Sequence, residues 1–404
     1  MGAGVDAARR GLSRAAAVAA ALLLACGAVV AAEPIRIGLD ADFTGPAVAS
    51  SEAIRQGAEA AIAEINAAGG VAGRPLELAT TDHRGNPLRG VENFEQLIRE
   101  RGIVALLTGA HSPVALAQVE VARAHGVPLI SPWAAATAIV DNGLDPNPAF
   151  RVSVRDADAA GYLVGRALAG GDERIAMVVE NTPWGKSNHR GVEAALRSAG
   201  IGELVGIGWF SKSEHDIAVA AADALASRPD AIIFIGVAKP AVEVLRAVAA
   251  LPEAQRPRVL THWGVMTSDG FGAEAARFPS VEVEVLQTFS FHAPPHPDRA
   301  ARALATTCRL FGICAPGDVA APAGLAHAYD AVRLVALGVE QVIWGAQPDL
   351  RAALEHLPPH DGLVRRYDPA FTPDRHEALT RSDYRMAAFD ARGRPAPAAE
   401  PAPR

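Results

Sequence analysis

Short runs of Val, Ile and Leu alternate with segments whose apolar residues recur at helix spacing. That rhythm confines the chain to βα units around parallel sheets, an α/β fold class. The first set of runs covers 35–39, 76–78, 103–107 and 127–130. Ile54, Ala58, Ala61, Ile62 and Ile65 follow the first run on one helical face, and Gly69 and Gly70 should stop that helix. Residues 150–154 read as a connecting strand. A second set starts at 174, 204, 231 and 258, recurring every 27 to 30 residues, about one βα unit each. The sequence thus predicts two similar Rossmann-like lobes. Past residue 280 the alternation of Val281, Val283 and Val285 suggests a strand. Helices are expected over 297–311, 321–344 and 348–356, and short strands over 362–390.

A long helical stretch between strands suits a chain that crosses between lobes more than once and so forms a multi-crossing hinge. The expected division is 33–152 with 289–357 for one lobe and 153–288 with 358–390 for the other. Residues 391–404, rich in Pro, Ala and Arg, should be a disordered tail. The cleft between the lobes, at the carboxyl ends of the strands, is where such folds bind ligands.

A length of 404 residues fits two domains. The formal charge is -7, and Lys186, Lys212 and Lys239 are the only lysines among 38 basic residues. No basic stripe appears, which disfavours nucleic acid and anionic membranes. The first 32 residues read as an export signal peptide. Arg9, Arg10 and Arg14 precede an apolar run from Ala15 to Val30, and Val30, Ala31 and Ala32 offer small residues for cleavage. That implies a periplasmic protein. The stretch Leu23, Leu24, Ala25, Cys26 resembles a lipobox and leaves a lipoprotein anchored at Cys26 as the less favoured alternative. Cys308 and Cys314 remain after cleavage. In an oxidising compartment they are a disulfide candidate, with two unpaired thiols as the other reading. A straight helix would hold their Cα atoms about 9 Å apart, too far to bridge. Gly312 could break the helix and bring Cys314 back.

No catalytic constellation emerges, so the chain is not expected to be an enzyme, nor to carry a cofactor. Trp184, Gly185, Lys186 and Ser187 resemble the end of a phosphate-binding loop, but Glu180 stands where that loop needs Gly. No nucleophile elbow or zinc motif is present. His292 and His296 lack a third ligand nearby in sequence, so no metal site is expected.

The loops after the strands are more specific. They include Asp42, Phe43, Thr44, Gly45 and Pro46, then the stretch 64–76 from Glu-Ile-Asn to Gly-Arg-Pro-Leu. Further signals are 108–117, 126–132, Phe150 and Arg151 with Asp156, Trp184 and Gly185, and Tyr329 with Asp330 and Ala331. In this order they resemble the type I periplasmic binding proteins of the leucine/isoleucine/valine receptor group, from about residue 35 to 390. The resemblance implies the type I periplasmic binding protein fold and a receptor that closes on a small molecule. It would present the closed form to an ABC permease in the inner membrane. A sensory module reporting to a signalling receptor is the alternative.

In amino-acid-binding members a Ser at the start of the helix after the third strand and a Thr in the next loop hold the ligand carboxylate. The Ser corresponds to Ser112, beside His111. A helix N-terminus suits an anion, although Ser112 could also simply cap the helix. The Thr position is Ala135, following Trp133 and Ala134, which leaves only a backbone N–H. Where the family has an acidic partner for the ligand ammonium, this chain has Trp263. An ammonium left uncompensated in a closed cleft is costly, so the expected ligand is an organic acid, an amide or another neutral polar or aromatic molecule. Trp133, Trp184 and Trp263 could stack on a planar ligand or pack at the lobe interface. Asp156 could serve an amine and keeps the amino-acid option open. Phe43 and Lys239, the latter a candidate anion contact, complete the ligand-binding set.

Overall fold

The computed structural model describes residues 32–399 other than 212, 268 and 269. Residues 1–31, which hold Cys26 and all but the last residue of the expected signal peptide, lie outside the described residues, as do 400–404.

The first lobe is built on a five-stranded sheet in the order β2-β1-β3-β4-β5. Its strands are β1 (Ile35–Ala41), β2 (Leu76–Asp82), β3 (Ile103–Thr108), β4 (Leu129–Ser131) and β5 (Ala149–Arg151). Every pairing in it is parallel. The expected connecting strand is therefore the edge strand of this sheet. Its helices are α1 (Val48–Ala67), α2 (Pro87–Gln96) and α3 (Ser112–His125). Helix α1 buries Ile54, Ala58, Ala61 and Ile62, the face given by the apolar spacing, and the chain turns away through Gly69 and Gly70 at positive φ.

The second lobe repeats the pattern with α4 (Asp156–Ala169), β6 (Arg174–Glu180), α5 (Pro183–Ala199), β7 (Glu203–Phe210), α6 (Glu214–Ala226), β8 (Ala231–Ile235), α7 (Ala238–Ala249), β9 (Arg258–Thr261) and β10 (Val283–Gln287). After β10 the chain returns to the first lobe, where α8 (Pro297–Phe311) and α9 (Pro322–Ile343) pack on α1. A Cβ at Gly57 of α1 would lie 2.0 Å from the carbonyl oxygen of Leu325 in α9, so these two helices meet backbone to backbone. Helix α8 ends on Gly312 at φ 74°, and Cys308 and Cys314 form a disulfide with Cα atoms 4.4 Å apart.

Two parts of the expected division are corrected. The hairpin β11 (His360–Asp361) and β12 (Arg366–Tyr367), with the chain to residue 379, belongs against the first lobe. The buried carboxylate of Asp330 in α9 accepts the N–H groups of Leu363 (2.7 Å) and Val364 (3.0 Å) and the Tyr367 hydroxyl (2.7 Å). His376 bonds the Ala149 carbonyl, and Ala378 donates to the Arg151 carbonyl. The chain crosses to the second lobe only after this, entering β13 (Arg385–Phe389), antiparallel to β10. The tail expected to be disordered from 391 instead adds β14 (Pro395–Pro397), giving a second sheet ordered β14-β13-β10-β9-β8-β6-β7. Two prolines are tolerated there because β14 is an edge strand.

One apolar cluster runs through both lobes, from Ile37 and Ile54 through Trp133 and Trp263 to Met177 and Leu286. Among the described residues no helix is long and apolar enough to cross a membrane.

Candidate functional site

The strand order reverses between β1 and β3 in the first sheet and between β6 and β8 in the second. Loops at such switch points form the binding crevice of open α/β sheets. They are the loops after β1 (Asp42, Phe43), β3 (His111, Ser112), β6 (Trp184) and β8 (Lys239). The loops after β4 and β9, carrying Trp133 and Trp263, adjoin them.

The two lobes meet along this seam. Trp133 of the first lobe and Trp263 of the second stack with ring centroids 5.1 Å apart and planes at 29°, both almost fully buried. Gly324 of α9 lies directly beneath Trp133, since a Cβ there would come within 2.8 Å of the indole. At the mouth, Ser187 of α5 accepts the Thr137 N–H at 3.2 Å. The indoles thus take the central space, and each packs against the other lobe as well as its own.

Ser112 is buried as the first residue of α3, and the N-cap is His111. Its hydroxyl accepts the Ala136 N–H at 3.2 Å, tying the helix start to the loop that carries Ala134 and Ala135. That loop is fixed from behind by Arg151. Its buried guanidinium reaches the carbonyls of Ala134, Val154, Ala136 and Thr137 and pairs with Glu377 at 3.0 Å. This corner is formed by the N-terminus of α3 with its positive dipole end.

Opposite lies a polar cluster. The Asp156 Oδ1 accepts the Trp184 indole N–H at 3.2 Å, and Nε2 of His262 lies 3.4 Å from the same oxygen. Asp156 and His262 are both fully buried. The Trp184 ring rests on Gly264, where a Cβ would lie 2.3 Å from it, and Asn188 donates to the Trp184 carbonyl. The Asp156 N–H donates to the Ala135 carbonyl at 2.9 Å, which places this cluster one residue from the Ser112 corner.

His327 of α9 closes the back of the seam. A carbonyl can only accept, so its Nδ1–H donates to Pro132 O at 2.9 Å, and its Nε2 pairs with the Thr288 hydroxyl at 2.8 Å. Complete burial holds its pKa down at about 4, so the ring is neutral and Nε2 accepts. At the outer edge of the first lobe, burial and the neighbouring His111 lower His83 to about 4. His83 Nδ1 accepts the Gly85 N–H at 2.9 Å. Asp40 at the end of β1 is raised to about 7 by burial, although Asn93, Thr81 and Gln118 donate to it.

Of the residues singled out from sequence, the structure brings together Ser112, Trp133, Ala134, Ala135, Asp156, Trp184 and Trp263. His111 is half-buried and 4.0 Å from Asp42, and half-buried Phe43 donates its N–H to Asp82 at 3.2 Å. Lys239 is exposed on α7 and has no place among the buried side chains of the seam. His262, His327 and Thr288 are not among the predicted site residues, and Arg151, a motif residue in the sequence, has no role assigned to it there. His262 carried a signal, since it directly follows β9 and precedes Trp263. His327 carried none, since it sits within an apolar helix. Among the described residues no group of three or more His, Cys, Asp or Glu is arranged to hold a metal ion.

Two open α/β lobes whose switch-point loops face each other, joined by a chain that crosses between them several times, are the bilobal architecture of the type I periplasmic binding protein fold. The chain belongs to the periplasmic binding protein family, whose model matches residues 34–394. It is 30% identical over 173 residues to the Leu/Ile/Val-binding protein homolog 3 of Brucella melitensis, and 31% over 172 residues to the Leu/Ile/Val-binding protein BraC3 of Rhizobium johnstonii. Each match covers 42% of this chain and 46% of the relative, so the chain spans about half the length of the curated relatives it matches. A periplasmic binding protein type 1 from Bordetella pertussis superposes with a TM-score of 0.79 at 21% identity, covering 91% of this chain and all of that one. A LivJ substrate-binding protein from Streptococcus pneumoniae in complex with isoleucine gives 0.73 at 20%, covering 90% and 98%. A solute-binding protein from R. palustris in complex with benzoate gives 0.72 at 20%, covering 92% and 97%. These likenesses establish the fold.

Proposed function

We propose that this protein is the substrate-binding component of an ABC import system of the branched-chain amino-acid type. It is exported to the periplasm by the signal at 1–32, captures a small solute between its lobes and delivers it to an inner-membrane permease without catalysing a reaction. The observation that carries the reading is the seam itself. Loops from both switch points converge there, and a helix N-terminus lies one residue from a buried polar cluster. Closure would be stabilised by ligand contacts to both lobes.

The ligand set we propose is Phe43, His111, Ser112, Trp133, Ala134, Ala135, Asp156, Trp184 and Trp263, with Lys239, exposed on α7, at the margin. The α3 N-terminus and the backbone of Ala135 suit the anionic end of an organic acid or the carbonyl of an amide. Trp263 stands where the resemblance implies an acidic partner for an α-ammonium group, and an indole supplies no such charge, which leaves Asp156 as the carboxylate available to an amine. The benzoate-bound and isoleucine-bound neighbours demonstrate that one fold serves both chemistries, so the local residues must decide. Isothermal titration with leucine, benzoate and small amides separates the classes. Binding of benzoate or an amide with leucine silent is expected, and tight leucine binding would overturn the assignment of Trp263.

A further inference from the structure

The second-lobe side of the seam holds more hydrogen-bonding capacity than the protein itself uses. Oδ2 of Asp156 and both ring nitrogens of His262 are buried with no hydrogen-bond partner, although Nε2 lies in ionic range of Oδ1. Oδ1 is committed to the Trp184 indole N–H. Buried polar atoms in native proteins are paired almost without exception, and leaving one unpaired costs about 1–3 kcal/mol. Three such atoms on two adjacent side chains, facing the seam between lobes, are the signature of a site completed by something else. Trp184 and Trp263 wall the cluster with indole rings 5.3 and 5.8 Å from the His262 ring.

The donor and acceptor pattern restricts what fits. Asp156 Oδ2 can only accept. His262 offers a ring N–H in any protonation state. A group meeting both must donate to the carboxylate and accept from the imidazole. A hydroxyl does this, and so does an amide through its N–H and C=O. An ammonium has hydrogens and no lone pair, so it can donate to Asp156 and to the ring nitrogen that carries no hydrogen, but it cannot meet the imidazole N–H. A plain hydrocarbon edge would leave both unpaired.

We propose that Asp156 and His262 form a head-group subsite for a neutral group that both donates and accepts, a hydroxyl or an amide, on a ligand whose anionic or carbonyl group is held at Ser112. The inference rests on the receptor reading above and names the chemistry of its second contact. Trp184 is the positioning residue, because its indole N–H fixes the rotamer of Asp156 by occupying Oδ1. The ligand class that results is a hydroxylated or amide-bearing organic acid.

Titration of the full mature chain with benzoate, 3-hydroxybenzoate and 4-hydroxybenzoate tests this, alongside Asp156→Asn and His262→Phe. A hydroxyl hydrogen-bonded to a buried carboxylate should tighten binding roughly 10- to 100-fold over benzoate for at least one isomer. Both variants should abolish that gain, so that within each variant the hydroxylated acids bind no more than about threefold tighter than benzoate, and circular dichroism spectra matching the unsubstituted protein should show that they fold. Equal affinity for all three acids, or a hydroxyl gain that survives in both variants, would overturn the subsite while leaving the receptor reading intact. Silence of all three acids together with tight leucine binding would overturn the subsite and the assignment of Trp263, while the receptor reading would stand.

Discussion

Replacing Trp263 with Ala probes an aromatic contact between the lobes. The side chain is 1% exposed and lies between Trp133 at 5.1 Å, His327 at 5.5 Å and His262 at 5.8 Å. Truncating a buried Trp costs about 3–5 kcal/mol, of which the ring stack on Trp133 accounts for about 0.5–1.5 kcal/mol. Because the two indoles belong to different lobes, part of that cost is relieved by opening the hinge rather than by unfolding. Trp263→Ala should therefore lower the urea midpoint and raise the radius of gyration measured by small-angle scattering. Trp133→Ala should do the same. The double variant should be less destabilised than the sum of the two by about 1 kcal/mol, since each single change already removes the stack. Additivity within about 0.5 kcal/mol, with scattering unchanged in all three variants, would refute the idea that the indole pair latches the lobes.

Three further outcomes follow from the geometry. Gly57→Ala should destabilise by about 2 kcal/mol because its Cβ would collide with the Leu325 carbonyl, whereas Gly165→Ala, on an exposed turn of α4 with nothing within 4 Å, should stabilise by up to about 1 kcal/mol. Thermal denaturation of both distinguishes close helix packing from simple propensity. His327 has a folded pKa of about 4, below its ordinary value of 6.5, so the unfolded chain binds more protons between those values and stability is lost as pH falls from 6.5 towards 4. His327→Gln should remove about 2 kcal/mol of the loss between pH 7 and pH 5 in urea titrations. Comparison with wild type is essential, since Asp40, raised to about 7, works in the opposite sense and loses stability as pH rises through 7. Finally, Cys308→Ser with Cys314→Ser should cost about 2 kcal/mol by the loop-entropy relation for a closed loop this short, read as a lower midpoint that added reductant no longer shifts.

The βα rhythm was legible because a strand buried on both faces must be apolar throughout and its crossover helix apolar on one stripe. Both patterns survive in Ile103–Thr108 and in Val48–Ala67. The loops of the seam were legible for a related reason, since position after a strand end puts Ser112, Trp133 and Trp263 at the crevice before any contact is known. What escaped depended on partners distant in sequence. Pro395–Pro397 reads as tail because prolines are poor strand formers, yet the edge of β13 accepts them. The stretch after 358 reads as second lobe because nothing local reveals that Asp330 will capture its backbone. His327 looks like an error in an apolar helix until Pro132 and Thr288 supply its two bonds. The Trp pair was visible as two residues but not as a stack, because a contact across lobes leaves no periodic trace.

The account turns on a solute held between the lobes, with one end at the start of α3 and the other at Asp156 and His262. A crystal structure of the protein with the small molecule that co-purifies with it, identified by mass spectrometry of the same sample, tests this most directly. The account predicts density between Ser112 and Ala135 on one side and Trp184 and His262 on the other, from a hydroxylated or amide-bearing organic acid. A free α-amino acid whose ammonium is held by Asp156, or a ligand bound anywhere outside the seam, would contradict it.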